Sequence, residues 1–281
     1  MKLLIYGAGV IGSLYAALFS EAGYDTTVYA RGQRFTSLKK DGLLYEKNGK
    51  IFKAKIRAID RLEAKELYDF IFLTVKENQV HAALEELRSN HSPNIVTMVN
   101  TLEWYDRWEE ICGANRIIPA FPGGGGSIED NILKASLTPR IVQPTTFAEI
   151  NGEKTERIKT LAAIFRKSKI PCQIVKDMQP WQICHLAMVV PIADAYYQAK
   201  NPETVCRENS VMTETAKQLK RNFERLWNSG IAITPGKLHI FRILPTCLLS
   251  FALRIVFKSR FGMLFMYQHS MKAADEMNRL H

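Results

Sequence analysis

The stretch LLIYGAGVIG, residues 3–12, decides the fold. A short apolar run enters Gly7, Gly9 and Gly12, spaced G-x-G-x-x-G. The residues that follow, VIGSLYAALFSEAG (10–23), place Ile11, Leu14, Tyr15, Leu18 and Phe19 on one helical face, with Gly23 positioned to end the helix. A strand before and a helix after give the glycines a physical task. Gly7 makes the tight turn, Gly9 lets backbone approach a pyrophosphate, and Gly12 lets helix and strand pack closely. The helix N-terminus offers free N–H groups and a positive dipole end to phosphate. Gly7, Ala8, Gly9, Val10, Ile11 and Gly12 are therefore the expected dinucleotide-binding turn.

Working outward, strands and helices alternate. TTVYA (26–30) is a second strand. GLLYEKNGKIFKAKIRA (42–58) reads as a hairpin turning at KNGK, where Asn-Gly suits a type I′ turn. YDFIFLTV (68–75) and NIVTMVN (94–100) are buried strands around the helical NQVHAALEELRSN (78–90), and NRIIPAF (115–121) is the next strand. Such alternation predicts a mainly parallel, doubly wound sheet of the Rossmann type with helices on both faces. β-like segments around RIVQPTTFAEI (140–150), an amphipathic helix in EKTERIKTLAAIFRKSKI (153–170) and a short strand in PCQIVKD (171–177) complete it. From about residue 177 strand signals cease and long helical patterns take over, as in PWQICHLAMVVPIADAYYQA (180–199). The expected division is a nucleotide-binding α/β domain over 1–175 and an all-helical domain for substrate and dimerisation over 176–281. Pro191 is expected to kink or break its helix.

Composition agrees with a globular chain: 47% of residues are hydrophobic and 23% charged. The net charge is +10, yet the basic residues come in ones and twos with no block of like charge and no zinc-finger spacing. This argues for an anionic small-molecule ligand, and against nucleic acid. The five cysteines are widely spaced with no CxxC pair, which fits a reducing cytoplasm and no metal site. The chain opens directly into a strand, with no charged-then-apolar leader pattern. The most membrane-like stretch, ILPTCLLSFALRIVF (243–257), falls short of the roughly 20 apolar residues a span requires and contains Pro245 and Arg254. It is expected to be a buried helix.

The second strand ends in TTVYARGQR (26–34). Dinucleotide folds usually carry an acid there for a ribose hydroxyl. Here the place is held by Arg31, with Arg34 close by and nothing acidic between Tyr29 and Arg34. An arginine fork pairs with a 2′-phosphate, and its plane stacks on adenine. The residue points to NADP(H) over NAD(H).

Together, the glycine turn at residue 7, the arginine after strand two, TVKENQV (74–80) and MVNT (98–101) resemble ketopantoate reductase, 2-dehydropantoate 2-reductase. The resemblance implies a Rossmann domain followed by an all-helical one, and NADPH-dependent reduction of an α-keto acid. It implies that Lys76 and Gln79 form the family's K-x-x-Q pattern, and that Lys76 and Asn100 line the nicotinamide side of the pocket. Thr101 replaces the family's usual glycine. The glycine run at 123–126 falls where the family has a loop near the nicotinamide, either a close-approach loop or a mobile flap. A homodimer is the expected assembly.

The second half departs from that pattern. Relative to Trp181, the family's proton-donating lysine and its following asparagines map onto Ile183, Ala187 and Pro191. Sliding the register by one residue either way supplies no such set. Lys176 lies before the tryptophan on an expected strand. The family's substrate-binding acidic segment is also missing; Asp275 and Glu276 are the nearest acids. His185, one turn beyond Trp181, is the leading proton donor, because an imidazole titrates near neutral pH. Tyr196 and Tyr197 are alternatives. Two functions stay open: an NADPH-dependent reductase of a small carbonyl, or an NADP-binding regulatory protein that has lost the reductase machinery.

Overall fold

The computed structural model describes residues 1–259 and Gly262. The chain divides into two compact units, Met1–Met178 and Gln179–His281.

The first unit is α/β. Its strands are β1 (Lys2–Tyr6), β2 (Asp25–Tyr29), β3 (Leu43–Lys47), β4 (Lys50–Ala54), β5 (Arg57–Ile59), β6 (Phe70–Leu73), β7 (Ile95–Met98), β8 (Ile117–Phe121), β9 (Gly124–Glu129), β10 (Ile132–Leu137), β11 (Thr145–Phe147) and β12 (Cys172–Ile174). Its helices are α1 (Val10–Glu21), α2 (Gly32–Asp41), α3 (Val80–Arg88), α4 (Tyr105–Cys112) and α5 (Glu156–Lys167). Eight strands form one sheet in the order β12-β11-β8-β7-β6-β1-β2-β5. All its pairings are parallel except β8 with β11. β6, β7 and β8 are buried at every position, as parallel strands covered on both faces must be. One aromatic cluster anchors α1 and α5 to the sheet: Phe19 lies 4.7 Å from Phe72, and Phe147 lies 5.3 Å from Phe165.

A second sheet of four strands, β4-β3-β10-β9, was not foreseen. β3 and β4 form the hairpin expected at Asn48-Gly49, both at positive φ (54° and 71°) as a type I′ turn requires. β10 lies parallel to β3, and β9 returns antiparallel to β10. The glycine run is therefore neither flap nor loop. Gly124 to Gly126 begin a strand. A Cβ on Gly126 would sit 2.2 Å from the Lys134 carbonyl oxygen, and one on Gly124 would sit 2.7 Å from Leu14 on α1. These glycines let a strand press against a neighbour and a helix, a role that glycine repetition alone does not distinguish from flexibility. The Tyr15 hydroxyl shares a 2.5 Å bond with Thr145 Oγ1 and accepts from the Gly123 N–H at 3.0 Å, tying α1 to the junction of both sheets.

The far side of the large sheet is fixed by an ion pair. Glu149 is 4% exposed and takes hydrogen bonds from Arg157 Nε (2.7 Å) and Nη2 (2.5 Å) and from the Thr155 hydroxyl. Thr155 also caps α5 through Ile158 N–H.

The second unit is helical: α6 (Met178–Gln198), α7 (Asn209–Asn228), α8 (Ile240–Ile243) and α9 (Thr246–Lys258). α6 starts at the last residue of the first unit and runs unbroken through Pro191. The helix is not broken there, and a partner takes up the carbonyl that Pro191 frees. Pro191 has no N–H, so the carbonyl of Ala187 loses its helical donor. Asn222 Nδ2 on α7 donates to that carbonyl at 3.1 Å. α9 is a helix buried along one face only. Leu249, Leu253 and Phe257 are buried, whereas Leu248, Phe251 and Ile255 are exposed. Among the described residues no helix is long and apolar enough to cross a membrane. The cysteines are all free thiols, and no metal-binding cluster occurs among the described residues.

Two stability predictions follow from these contacts. Burial pushes the Glu149 carboxyl up, but the bonds from Arg157 and Thr155 outweigh it and hold the group below its ordinary value. A depressed carboxyl contributes stability above the unfolded pKa of about 4.3 and loses it as pH falls through the lower folded value. Glu149→Ala should cost about 3 kcal/mol at neutral pH and flatten the acid limb of the stability curve, read by urea denaturation against pH. Asn222→Leu should cost about 1–3 kcal/mol by stranding the Ala187 carbonyl, read in the same way at pH 7.

Candidate functional site

The carboxyl ends of β2, β1, β6 and β7 lie side by side in the sheet. Arg31, the glycine turn, Lys76 and Asn100 follow those ends in that order. Open parallel sheets bind ligands along this edge.

The turn is built by close approaches. Gly7 sits at φ 113°, and its carbonyl accepts from the Thr74 hydroxyl at 2.8 Å. A Cβ on Gly12 would fall 1.9 Å from the Gly7 carbonyl oxygen and 2.5 Å from Thr74 Oγ1. Nothing lies within 4 Å of a Cβ built on Gly9, which is exposed. One glycine is thus required by the fold, and another leaves its backbone open to a ligand. Helix α1 begins at Val10 with no side-chain cap and no acid in its first turn, so no built-in anion competes for its N-terminus.

Arg34 has a task the sequence did not reveal. Its Nε donates to the Ala8 carbonyl at 3.0 Å and its Nη2 to Ser13 Oγ at 3.1 Å. It braces the glycine turn from α2, and burial lowers its pKa without a counter-charge.

Arg31 is exposed, but it is not free. Its Nε donates to the Tyr29 hydroxyl at 2.7 Å and its Nη2 to the Tyr6 hydroxyl at 3.0 Å, and it pairs with Glu86 of α3. An acid therefore stands beside the arginine after all. It comes from a different element, 55 residues on, where a reading of strand two alone does not look.

Lys76 is exposed at the end of β6. Gln79 Oε1 accepts from the Lys76 N–H at 3.3 Å and the Gln79 N–H donates to the Lys76 carbonyl at 2.9 Å, which gives the K-x-x-Q spacing a local structural reason. Asn100 follows β7, and its buried Oδ1 has no hydrogen-bond partner. A buried acceptor without a partner within the chain is open to a donor from water or a ligand. Thr101, in place of the family's glycine, accepts the Glu103 N–H at 2.9 Å. Glu103 then takes hydrogen bonds from His81 Nε2 (2.8 Å) and Trp108 Nε1 (2.7 Å), pinning the loop after β7 to α3 and α4. Burial raises the Glu103 carboxyl, but those two bonds outweigh it and keep the group below its usual range. Neither His81 nor Glu103 belongs to a short motif, so the sequence held no signal for them.

His185 lies on α6, buried, with its ring stacked on Trp181 at 5.2 Å and 6°. Tyr196 is a core residue: it stacks on Phe257 and its hydroxyl donates to the Gly262 carbonyl at 3.2 Å. Tyr197 is exposed. Asp275 and Glu276 lie outside the described residues.

The family model of ketopantoate reductase PanE/ApbA matches residues 3–132. The N-terminal unit resembles the ketopantoate reductase family. Among curated proteins, a 2-dehydropantoate 2-reductase of Mesorhizobium japonicum is 26% identical over 203 residues, covering 64% of this chain and 61% of that protein. The chain thus spans about three fifths of that relative. Among solved structures, D-mandelate dehydrogenase with NADH and anilino(oxo)acetate superposes with a TM-score of 0.69 at 16% identity, covering 100% of this chain and 91% of that one. A ketopantoate reductase-like protein from Ralstonia solanacearum gives 0.68 at 16% identity, covering 99% and 97%. These likenesses extend the shared fold across both units, while the family model stops within the first.

The tightness of the turn makes a direct prediction. Gly12→Ala should lower stability by about 1–3 kcal/mol through overpacking against Gly7 and Thr74, seen as a lower urea midpoint, whereas Gly9→Ala should leave the midpoint within about 0.5 kcal/mol.

Proposed function

We propose that the chain is an NADPH-dependent oxidoreductase that reduces a keto acid or related small carbonyl, with a proton donor other than the family's lysine. The observation that carries this reading is the unbroken row along one sheet edge: Arg31, the open Gly9 backbone, Lys76 and the orphaned Asn100 Oδ1. The residues fit a dinucleotide. The glycine turn and the uncapped start of α1 suit its pyrophosphate, and Arg31 suits a 2′-phosphate. Asn100 Oδ1 suits an amide or hydroxyl donor at the nicotinamide end. When bound, the reduced nicotinamide supplies a hydride. Lys76, which is exposed and in no ion pair among the described residues, is placed to orient a ribose hydroxyl or hold a substrate carboxylate. The proton for the new alcohol is assigned to His185, the titratable group near Trp181.

The apolar positions Ile183, Ala187 and Pro191 favour a second reading, an NADP-binding regulatory protein without turnover. Substrate-dependent NADPH oxidation across a panel of small and hydrophobic keto acids separates the two. Turnover is expected; tight cofactor binding without turnover on any substrate would select the regulatory reading. His185→Ala should cut kcat by about 10²–10⁴-fold with cofactor affinity unchanged; an unaltered rate removes the histidine from the reaction. Arg31→Ala should weaken NADPH binding about tenfold or more, with a smaller effect on NADH, measured by nicotinamide fluorescence.

A further inference from the structure

Tyr6 and Tyr29 are register partners at the ends of β1 and β2. Their buried rings stack 4.4 Å apart at 17°, so both hydroxyls emerge on one side of the sheet. There they hold a single carboxylate. The Tyr6 hydroxyl donates to Glu86 Oε2 at 2.5 Å and the Tyr29 hydroxyl donates to Oε1 at 2.6 Å. Burial first, and then the carboxylate itself, push both phenols above their ordinary values, so both remain donors at neutral pH. Glu86 is fixed on α3 by two rigid neighbours, whereas Arg31 is a long, exposed side chain held against it.

Resting on the dinucleotide reading above, we propose that Glu86 is a specificity-determining residue that competes with the 2′-phosphate for Arg31 and so narrows the preference for NADPH over NADH. The charges require it. A phosphate monoester brings about −1.5 to −2 charge near pH 7. The guanidinium that would neutralise it is already matched by a carboxylate that two phenols keep in place. A 2′-phosphate must share Arg31 with Glu86 or draw it away, and in either case it meets a fixed negative charge nearby. A 2′-hydroxyl meets no such repulsion. The acid absent from the end of strand two is thus restored from α3, and the site is a compromise between the two cofactors.

The test is direct binding of NADPH and NADH, followed by nicotinamide fluorescence, for wild type, Glu86→Gln, Glu86→Ala and Glu86→Gln/Arg31→Ala. Thermal melts establish that each variant folds, and Glu86→Ala serves where Glu86→Gln does not. Wild type should prefer NADPH by less than about a hundredfold. Removing the carboxylate should tighten NADPH about tenfold with NADH changed by less than threefold, and adding Arg31→Ala should erase the gain. An unchanged NADPH-to-NADH ratio in the folded Glu86 variants, or a wild-type preference above a hundredfold, overturns the proposal while leaving the dinucleotide site standing. Binding of neither cofactor by wild type overturns the dinucleotide reading itself.

Discussion

The contact on which the α/β unit depends is the one between Gly12 and the Gly7 carbonyl, braced by Thr74. A side chain at Gly12 would occupy the space of a backbone oxygen 1.9 Å away. Thr74, from the end of β6, donates to the carbonyl of Gly7 at the end of β1. The first helix is thereby drawn down onto β1 and β6, and its N-terminus lies at the sheet edge that also carries Arg31, Lys76 and Asn100. Arg34 completes the brace from α2. A turn held from three elements has its backbone N–H groups set by the fold, the arrangement that a preformed anion site requires.

The same sheet edge shows how a site is assembled from residues that short motifs do and do not report. The glycine turn and the alternation of strand and helix were legible, because local sterics and periodicity leave few other solutions. Arg31 was legible as a cation at the end of strand two. Glu86 was not: nothing in a helix pattern tells which exposed acid the sheet will turn toward a neighbouring strand. The His81–Glu103–Trp108 cluster was hidden for the same reason. The run at 123–126 was misread in kind, since close packing and flexibility both demand a missing side chain, and only the neighbours Leu14 and Lys134 tell them apart.

Pro191 carries a related lesson. Its effect on a helix is local, and local reasoning predicts a kink or a break. The cost of a lost hydrogen bond is set by whether the orphaned carbonyl finds another donor. Asn222, on the next helix, supplies one. A residue that looks like an interruption in one dimension is thus accommodated by a contact made in three.

The two halves of the chain impose different constraints on function. The groups that the proposed reading assigns to a dinucleotide lie within the first unit, and the family match covers residues 3–132 of it. In the reading proposed above the proton cannot come from Ile183, Ala187 or Pro191 of α6, which have none to give. A carbonyl reduction needs a hydride and a proton, and the first without the second is not a reaction. A braced turn, an arginine and an asparagine acceptor without the family's donor face leave turnover, if it occurs, to another titratable group. On that helix the imidazole of His185 is stacked face to face on Trp181, and it is the group that the proposal above puts to the test.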